Sequence, residues 1–253
     1  MFFSDLNTVN SMSEKKSILS KENPFIYLGR SAFTGILLFL ATILSYTNGA
    51  ILSPNYPELA KIACSALFCF AIIAIVFFNG ELFTGNNFVM FTGAVSGKAS
   101  ISATLRVWIY SLLGNALGII FFAYIFVKSG ASLALLKPYL EPIVQAKIEL
   151  SPIQIVLRGI LCNFSVCLAV FSGIKLKSEF GKMLLMFFCV FTFVIAGFEH
   201  SVANIAIFSI AGFSLDSFNL GMALYNILWA VVGNIIGGGV LLGGFLKFTS
   251  IDG

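Results

Sequence analysis

Runs of apolar residues long enough to cross a bilayer dominate the chain, separated by short charged loops. Residues 31–57, 107–127 and 217–246 carry no charged side chain, and 62–97 carries only Glu81. About 20 apolar residues span the hydrocarbon core. The pattern therefore predicts six crossings, at 31–52, 62–96, 107–127, 152–172, 183–210 and 220–245. The second and fifth exceed a span, and each is interrupted near its middle by a polar patch of the form ExxxxN: Glu81-Leu82-Phe83-Thr84-Gly85-Asn86 and Glu199-His200-Ser201-Val202-Ala203-Asn204. A charged group at bilayer depth costs at least roughly 2.5 to 3.5 kcal/mol, so such residues normally face a cavity or a pathway. Broken helices explain both the extra length and the polar patches, because freed backbone at this depth must be buried in protein or line a wet cavity.

The patches lie 118 positions apart, and a second echo, Gly114-Asn115-Ala116-Leu117-Gly118 and Gly233-Asn234-Ile235-Ile236-Gly237, lies 119 apart. The chain reads as a duplication. Three crossings per copy is an odd number, so the second copy enters the bilayer upside down, as in inverted-repeat transporters. The expected fold is an all-α integral membrane protein of six transmembrane helices in two inverted three-helix repeats, with helices 2 and 5 broken. The expected parts are an N-terminal tail or amphipathic helix (1–29), a first repeat (30–128), an extracytoplasmic linker (129–151), a second repeat (152–248) and a C-terminal tail (249–253).

Composition agrees: 58% apolar and 10% charged residues, with a mean hydropathy of +0.98, exclude an ordinary soluble domain. Ten Lys and Arg fall on the side of the N-terminal tail and five on the other, which predicts cytoplasmic termini and a multi-pass cell-membrane protein. The first 23 residues lack an apolar core of signal-peptide length. All five cysteines lie inside spans and form no CxxC pair, so free thiols and no metal or other cofactor are expected.

His200, the one histidine, sits at the second break and suits proton exchange or hydrogen bonding; satisfying the freed backbone is its structural alternative. Glu81 and Glu199 would repel a passing anion, so they are expected to tie down loop N–H groups or cap half-helices, supported by Asn86 and Asn204. Thr84 can donate to an anion or cap the next half-helix. Asn163 lies mid-span, where its amide needs an inward partner or serves as interhelical glue. Lys147, taken alone, is a solvated loop charge. Half-helix N-termini aimed at one midplane point favour anions over cations.

These residues resemble the formate/nitrite transporter family from about Pro24 to Lys247. The resemblance rests on Glu81 to Asn86, on Arg158-Gly159-Ile160-Leu161-Cys162-Asn163 with Val166-Cys167-Leu168-Ala169-Val170, on Gly197 to Asn204, and on Gly233-Asn234-Ile235-Ile236-Gly237-Gly238. It implies an aquaporin-like protomer, five of them in a ring, each with its own pore for a small monovalent anion of a weak acid: formate, nitrite or hydrosulfide. The hydrosulfide branch is the most similar. The resemblance also implies roles for His200 as the central histidine, Thr84 as the loop threonine, Asn163 as the family's asparagine and Lys147 as its vestibule lysine. Phe68, Ile72, Leu82, Phe83, Val166 and Phe193 would form the constrictions. No enzyme constellation and no nucleic-acid partner is expected. A neutral-solute pore is the rival, but neither break carries the Asn-Pro-Ala or any proline that such pores use.

Overall fold

The computed structural model describes residues 3–251; residues 1–2 and 252–253 of the two expected tails lie outside the described residues. The regular elements are all helical: α1 (Phe3–Glu22), α2 (Pro24–Leu52), α3 (Pro57–Phe68), α4 (Phe70–Phe77), α5 (Phe83–Val95), α6 (Ile101–Ser129), α7 (Leu133–Ile148), α8 (Pro152–Lys175), α9 (Glu179–Ile195), α10 (Ser201–Ser214), α11 (Leu220–Asn234), a π-helical stretch (Ile235–Gly243) and α12 (Gly244–Thr249). Helix starts arise from local chemistry. Proline opens α2, α3 and α8, where its missing N–H costs nothing. Side-chain oxygens of Ser100, Ser178 and Asn219 accept the N–H of Ala103, Gly181 and Met222 at the starts of α6, α9 and α11.

Five helical stretches are long and apolar enough to cross a membrane: Pro24–Leu52, Pro57–Phe77, Ile101–Ser129, Pro152–Lys175 and Leu220–Thr249. The remaining crossing is divided between α9 and α10, of 17 and 14 residues. The divided segments differ in one respect from the expected mid-span break: Pro57–Phe77 is already 21 residues long before its break. Residues 78–82, in turn and irregular backbone, then separate it from α5.

The two repeats pack alike. In the first, α2 crosses α6; in the second, α8 crosses α11 and the π-helical stretch. Glycines set both distances. A Cβ on Gly118 would fall on the backbone carbonyl of Ala32, and one on Gly237 would fall on that of Ile160. Gly114 and Gly233 likewise face the backbone of the opposing helix, at Leu28 and Val156. The repeated glycine motif is thus the imprint of one helix crossing used twice. The π-helical stretch packs on both α5 and α8, and Gly238 leaves room there for the side chains of Asn163 and Cys167.

Two elements lie outside the repeats. The linker is largely helical, and α7 buries Leu136, Leu140, Val144 and Ile148 against α2, α10 and α11. Helix α1 buries Leu6, Val9, Asn10, Ser13 and Ser20 and packs on α5, α6, α2 and α8. Three of those five are polar, unlike the apolar face of a surface-lying amphipathic helix. Phe3 N–H donates to the Ile251 carbonyl at 2.9 Å, so the two ends of the described chain meet on one side.

Gly118→Leu and Gly237→Leu are each expected to reach or exceed the upper end of the about 1–3 kcal/mol cost of overpacking, because the added atoms meet backbone. Thermal denaturation in detergent should show a lower midpoint for both. Gly244→Ala, whose new Cβ meets nothing outside its own helix within 4 Å, should leave the midpoint unchanged or raise it.

Candidate functional site

Both breaks are built to one plan. The helix before each ends in a reversal whose N–H groups reach back across the last turn: Gly80 to Ile75 O at 2.7 Å and Asn79 to Val76 O at 3.1 Å in the first, Phe198 to Phe193 O at 3.0 Å and Gly197 to Val194 O at 3.1 Å in the second. This is a Schellman closure, which needs a left-handed residue. Asn79 (φ 52°) and Gly197 (φ 71°) supply it at equivalent positions.

The loop backbone beyond each reversal is held by one asparagine from the third helix of its repeat. Asn115 Oδ1 accepts the Phe83 N–H at 2.9 Å, while its Nδ2 donates to the Glu81 carbonyl at 2.9 Å and the Ser31 carbonyl at 2.8 Å. Asn234 repeats this with the Ser201 N–H and with the carbonyls of Glu199 and Gly159, each at 2.9 Å. A carboxamide is suited to the task because it donates and accepts at once. In the first break Thr34 Oγ1 also accepts the Glu81 N–H at 2.7 Å.

The two glutamates do not grip loop N–H groups, which differs from expectation. Their carboxylates, on residues 5% and 1% exposed, are occupied by side chains. Glu81 Oε2 accepts from Lys16 Nζ at 2.5 Å, Tyr27 OH at 2.7 Å and Asn86 Nδ2 at 3.1 Å. Glu199 accepts from Lys147 Nζ at 2.8 Å, Asn204 Nδ2 at 2.5 Å and Asn226 Nδ2 at 3.3 Å. Each carboxylate is thus balanced by one lysine and anchored by the asparagine five positions on. Lys147 sits in the last turn of α7, its side chain only 15% exposed, so it is not a solvated loop charge.

Half-helices α5 and α10 begin beside one another. Thr84 Oγ1 lies 3.2 Å from His200 Nε2, joining their first turns. His200 is the N-cap of α10, its Nδ1 accepting the Ala203 N–H at 3.1 Å. That bond places the proton of the neutral ring on Nε2, which donates toward Thr84. Thr84 therefore caps no helix. Asn163 Nδ2 has three acceptors, Thr84 O, Asn87 Oδ1 and Asn234 O, at 3.1, 3.0 and 2.7 Å. Two amide hydrogens serve three protein acceptors, so none remains for a passing ion.

Beside His200 lies a chamber of about 10 Å³ walled by Leu38, Phe68, Ala71, Ile72, Ile75, Leu82, Val166, Val190 and Phe193. That volume barely admits one water. Phe193 stacks on the imidazole at 5.7 Å and meets Phe68 edge-on at 6.3 Å. Five of the six expected constriction residues, Phe68, Ile72, Leu82, Val166 and Phe193, stand in this wall. Phe83 does not: as the first residue of α5 it is 2% exposed and packs into the apolar core. Ile75 and Leu82 also border a vestibule of about 580 Å³ on the side of the chain ends, roofed by Thr8, Met12, Lys15 and Lys16 of α1.

Sequence reasoning misses Lys16, Tyr27, Asn115, Asn226, Asn234 and Ile75. Asn115 and Asn234 are visible as a repeated motif whose glycines point to packing, yet a mid-span amide also needs a partner. The same signal marks Asn226. Lys16 carries none, being one of several lysines in a polar tail.

The profile of one protein family, Formate/nitrite transporter, matches residues 6–248. Nitrite transporter NirC of Salmonella typhimurium is 29% identical over 246 residues, 96% of this chain and 90% of that protein. A solved structure described as an FNT family ion channel superposes with a TM-score of 0.92 at 27% identity, covering 99% of this chain and 100% of its own. A second, described as a pentameric formate channel with formate bound, shares the fold with a TM-score of 0.77 at 22% identity, covering 90% of this chain and 98% of its own.

Removing one member of either buried ion pair leaves a carboxylate without its counter-charge. Lys16→Met and Lys147→Met are each expected to cost about 3–5 kcal/mol. The double variants Lys16→Met/Glu81→Gln and Lys147→Met/Glu199→Gln should recover most of the loss in detergent thermal denaturation. Double variants no more stable than the single ones would contradict the pairing.

Proposed function

The chain belongs to the formate/nitrite transporter family, and from that premise we propose a membrane channel that passes a small monovalent anion of a weak acid through each protomer. The observation that carries the reading is the meeting of the two half-helix N-termini, through Thr84 and His200, at the edge of a dry chamber. Two N-termini aimed at one point attract negative charge without a formal cation. A bare anion is costly in an apolar throat, whereas its neutral acid crosses cheaply. The ion is therefore drawn in as a charge and crosses the constriction sharing or holding a proton.

Each residue then has a role. Lys147 spends one N–H on Glu199 and offers its other two to an arriving anion. Nε2–H of His200 supplies the hydrogen bond in the chamber, with Thr84 holding that N–H until an anion competes for it. Protonating the ring would put a hydrogen on Nδ1 against the Ala203 N–H, so the cap favours His200 as a hydrogen-bond donor over a proton store. Asn163 locks Thr84 and the sixth crossing together from behind. Phe68, Phe193, Ile72, Ile75, Leu82 and Val166 exclude water.

The chamber as it stands admits at most a water, so every candidate anion needs the walls to give, hydrosulfide with its single heavy atom less than formate or nitrite, and hydrosulfide is the first substrate assignment. The relatives' names favour nitrite or formate as the second reading. The fold shared with a channel described as pentameric supports a homopentamer, and the lysine and arginine bias supports cytoplasmic termini in the cell membrane.

In proteoliposomes, His200→Phe should reduce the initial flux of hydrosulfide and nitrite at least about tenfold, the value of one hydrogen bond to a charged group. The variant should elute as the same oligomer. Unchanged flux through the intact oligomer would remove His200 from the pathway.

A further inference from the structure

We propose that the vestibule beneath α1 is a binding site for an organic dianion, a dicarboxylate or phosphate ester with an apolar body, that blocks the pathway from the side of the chain ends. Four cations face this cavity, Lys15 and Lys16 from α1, Arg30 from α2 and Lys182 from α9. Two are neutralised: Lys16 by Glu81 at 2.5 Å and Lys182 by Glu179 at 3.0 Å. Lys15 and Arg30 have no ion pair among the described residues, and these two charges from two helices set the valence of the ligand.

Size and wall chemistry set the rest. A volume of about 580 Å³ is far beyond what the roughly 10 Å³ chamber admits. It falls within the range of about 300–1,000 Å³ that holds small organic ligands. Part of its wall is apolar, from Met12, Phe77, Val170 and Ile174, and can cover a carbon body while the charges meet Lys15 and Arg30. The floor is Leu82 and Ile75, so a ligand too large and too charged for the chamber stops there. Lys15 and Arg30 line the cavity on the side of the chain ends, while Lys147 on the other face is balanced by Glu199, so block is one-sided. The block rests on the pathway reading above; the binding does not.

Phenyl phosphate is the probe, with sulfate as its charge-matched counterpart lacking the apolar body. Calorimetry on the detergent-solubilised full chain is expected to show one phenyl phosphate per protomer, with sulfate at least roughly threefold weaker. Lys15→Ala/Arg30→Ala should weaken phenyl phosphate binding about tenfold, at roughly threefold per charge removed. In oriented proteoliposomes at constant ionic strength, phenyl phosphate should reduce nitrite flux from the face bearing the chain ends only, and the double variant should relieve the block. No binding, sulfate binding as tight as phenyl phosphate, unaltered binding in the double variant, or equal block from both faces would overturn the proposal. Absence of nitrite flux in the unmodified protein would instead count against the channel reading, with calorimetry still deciding the site.

Discussion

A backbone interrupted inside a bilayer has no water to satisfy its N–H and C=O groups, and the rest of this protein is arranged around meeting that demand twice. The solution is one carboxamide per break, Asn115 and Asn234, each accepting from the loop N–H two residues after a glutamate and donating to that glutamate's own carbonyl. For the amide to reach, α6 must lie against α2, and α11 against α8, at backbone contact. The glycines flanking each asparagine permit it. Closing the preceding helix with a left-handed residue then aims the loop inward.

The two asparagine braces create a centre that is polar in direction and apolar in surface. The first turns of α5 and α10 converge at Thr84 and His200, yet the chamber beside them is walled by aliphatic and aromatic side chains. Formal charges are kept at the edges. Glu81 and Glu199 are each matched by a lysine from outside the repeats, Lys16 from α1 and Lys147 from α7. The duplicated core carries the acids, and the two accessory helices carry the bases. Helices α1 and α7 are therefore parts of the electrostatics of the two breaks.

Much of this is legible in the chain. Crossings, breaks and inverted duplication come from hydropathy and from two echoes at nearly one spacing, and both breaks lie where the ExxxxN patches fall. His200 and Thr84 meet as a central pair because polar residues at a break have few other places to go. The glutamates' partners are not legible. Lys16 is 65 positions from Glu81, and Lys147 is 52 from Glu199, separations over which no local pattern operates. Asn163 is readable as inward-facing, but whether its hydrogens face an ion or three carbonyl-type acceptors depends on packing. Phe83 departs from expectation for a related reason: a residue at the first turn of a half-helix can point to the chamber or to the core, and only the bond from its own N–H to Asn115 fixes which.

On the proposed reading, a dry chamber with a single N–H donor admits anions only as they share a proton. Initial flux of hydrosulfide, nitrite, formate and chloride through the reconstituted protein, measured across a pH series, tests it most directly. The weak-acid anions should pass, faster as pH falls toward the range where the acid forms, while chloride, the anion of a strong acid, does not. Chloride flux comparable to that of the weak-acid anions and independent of pH would contradict it.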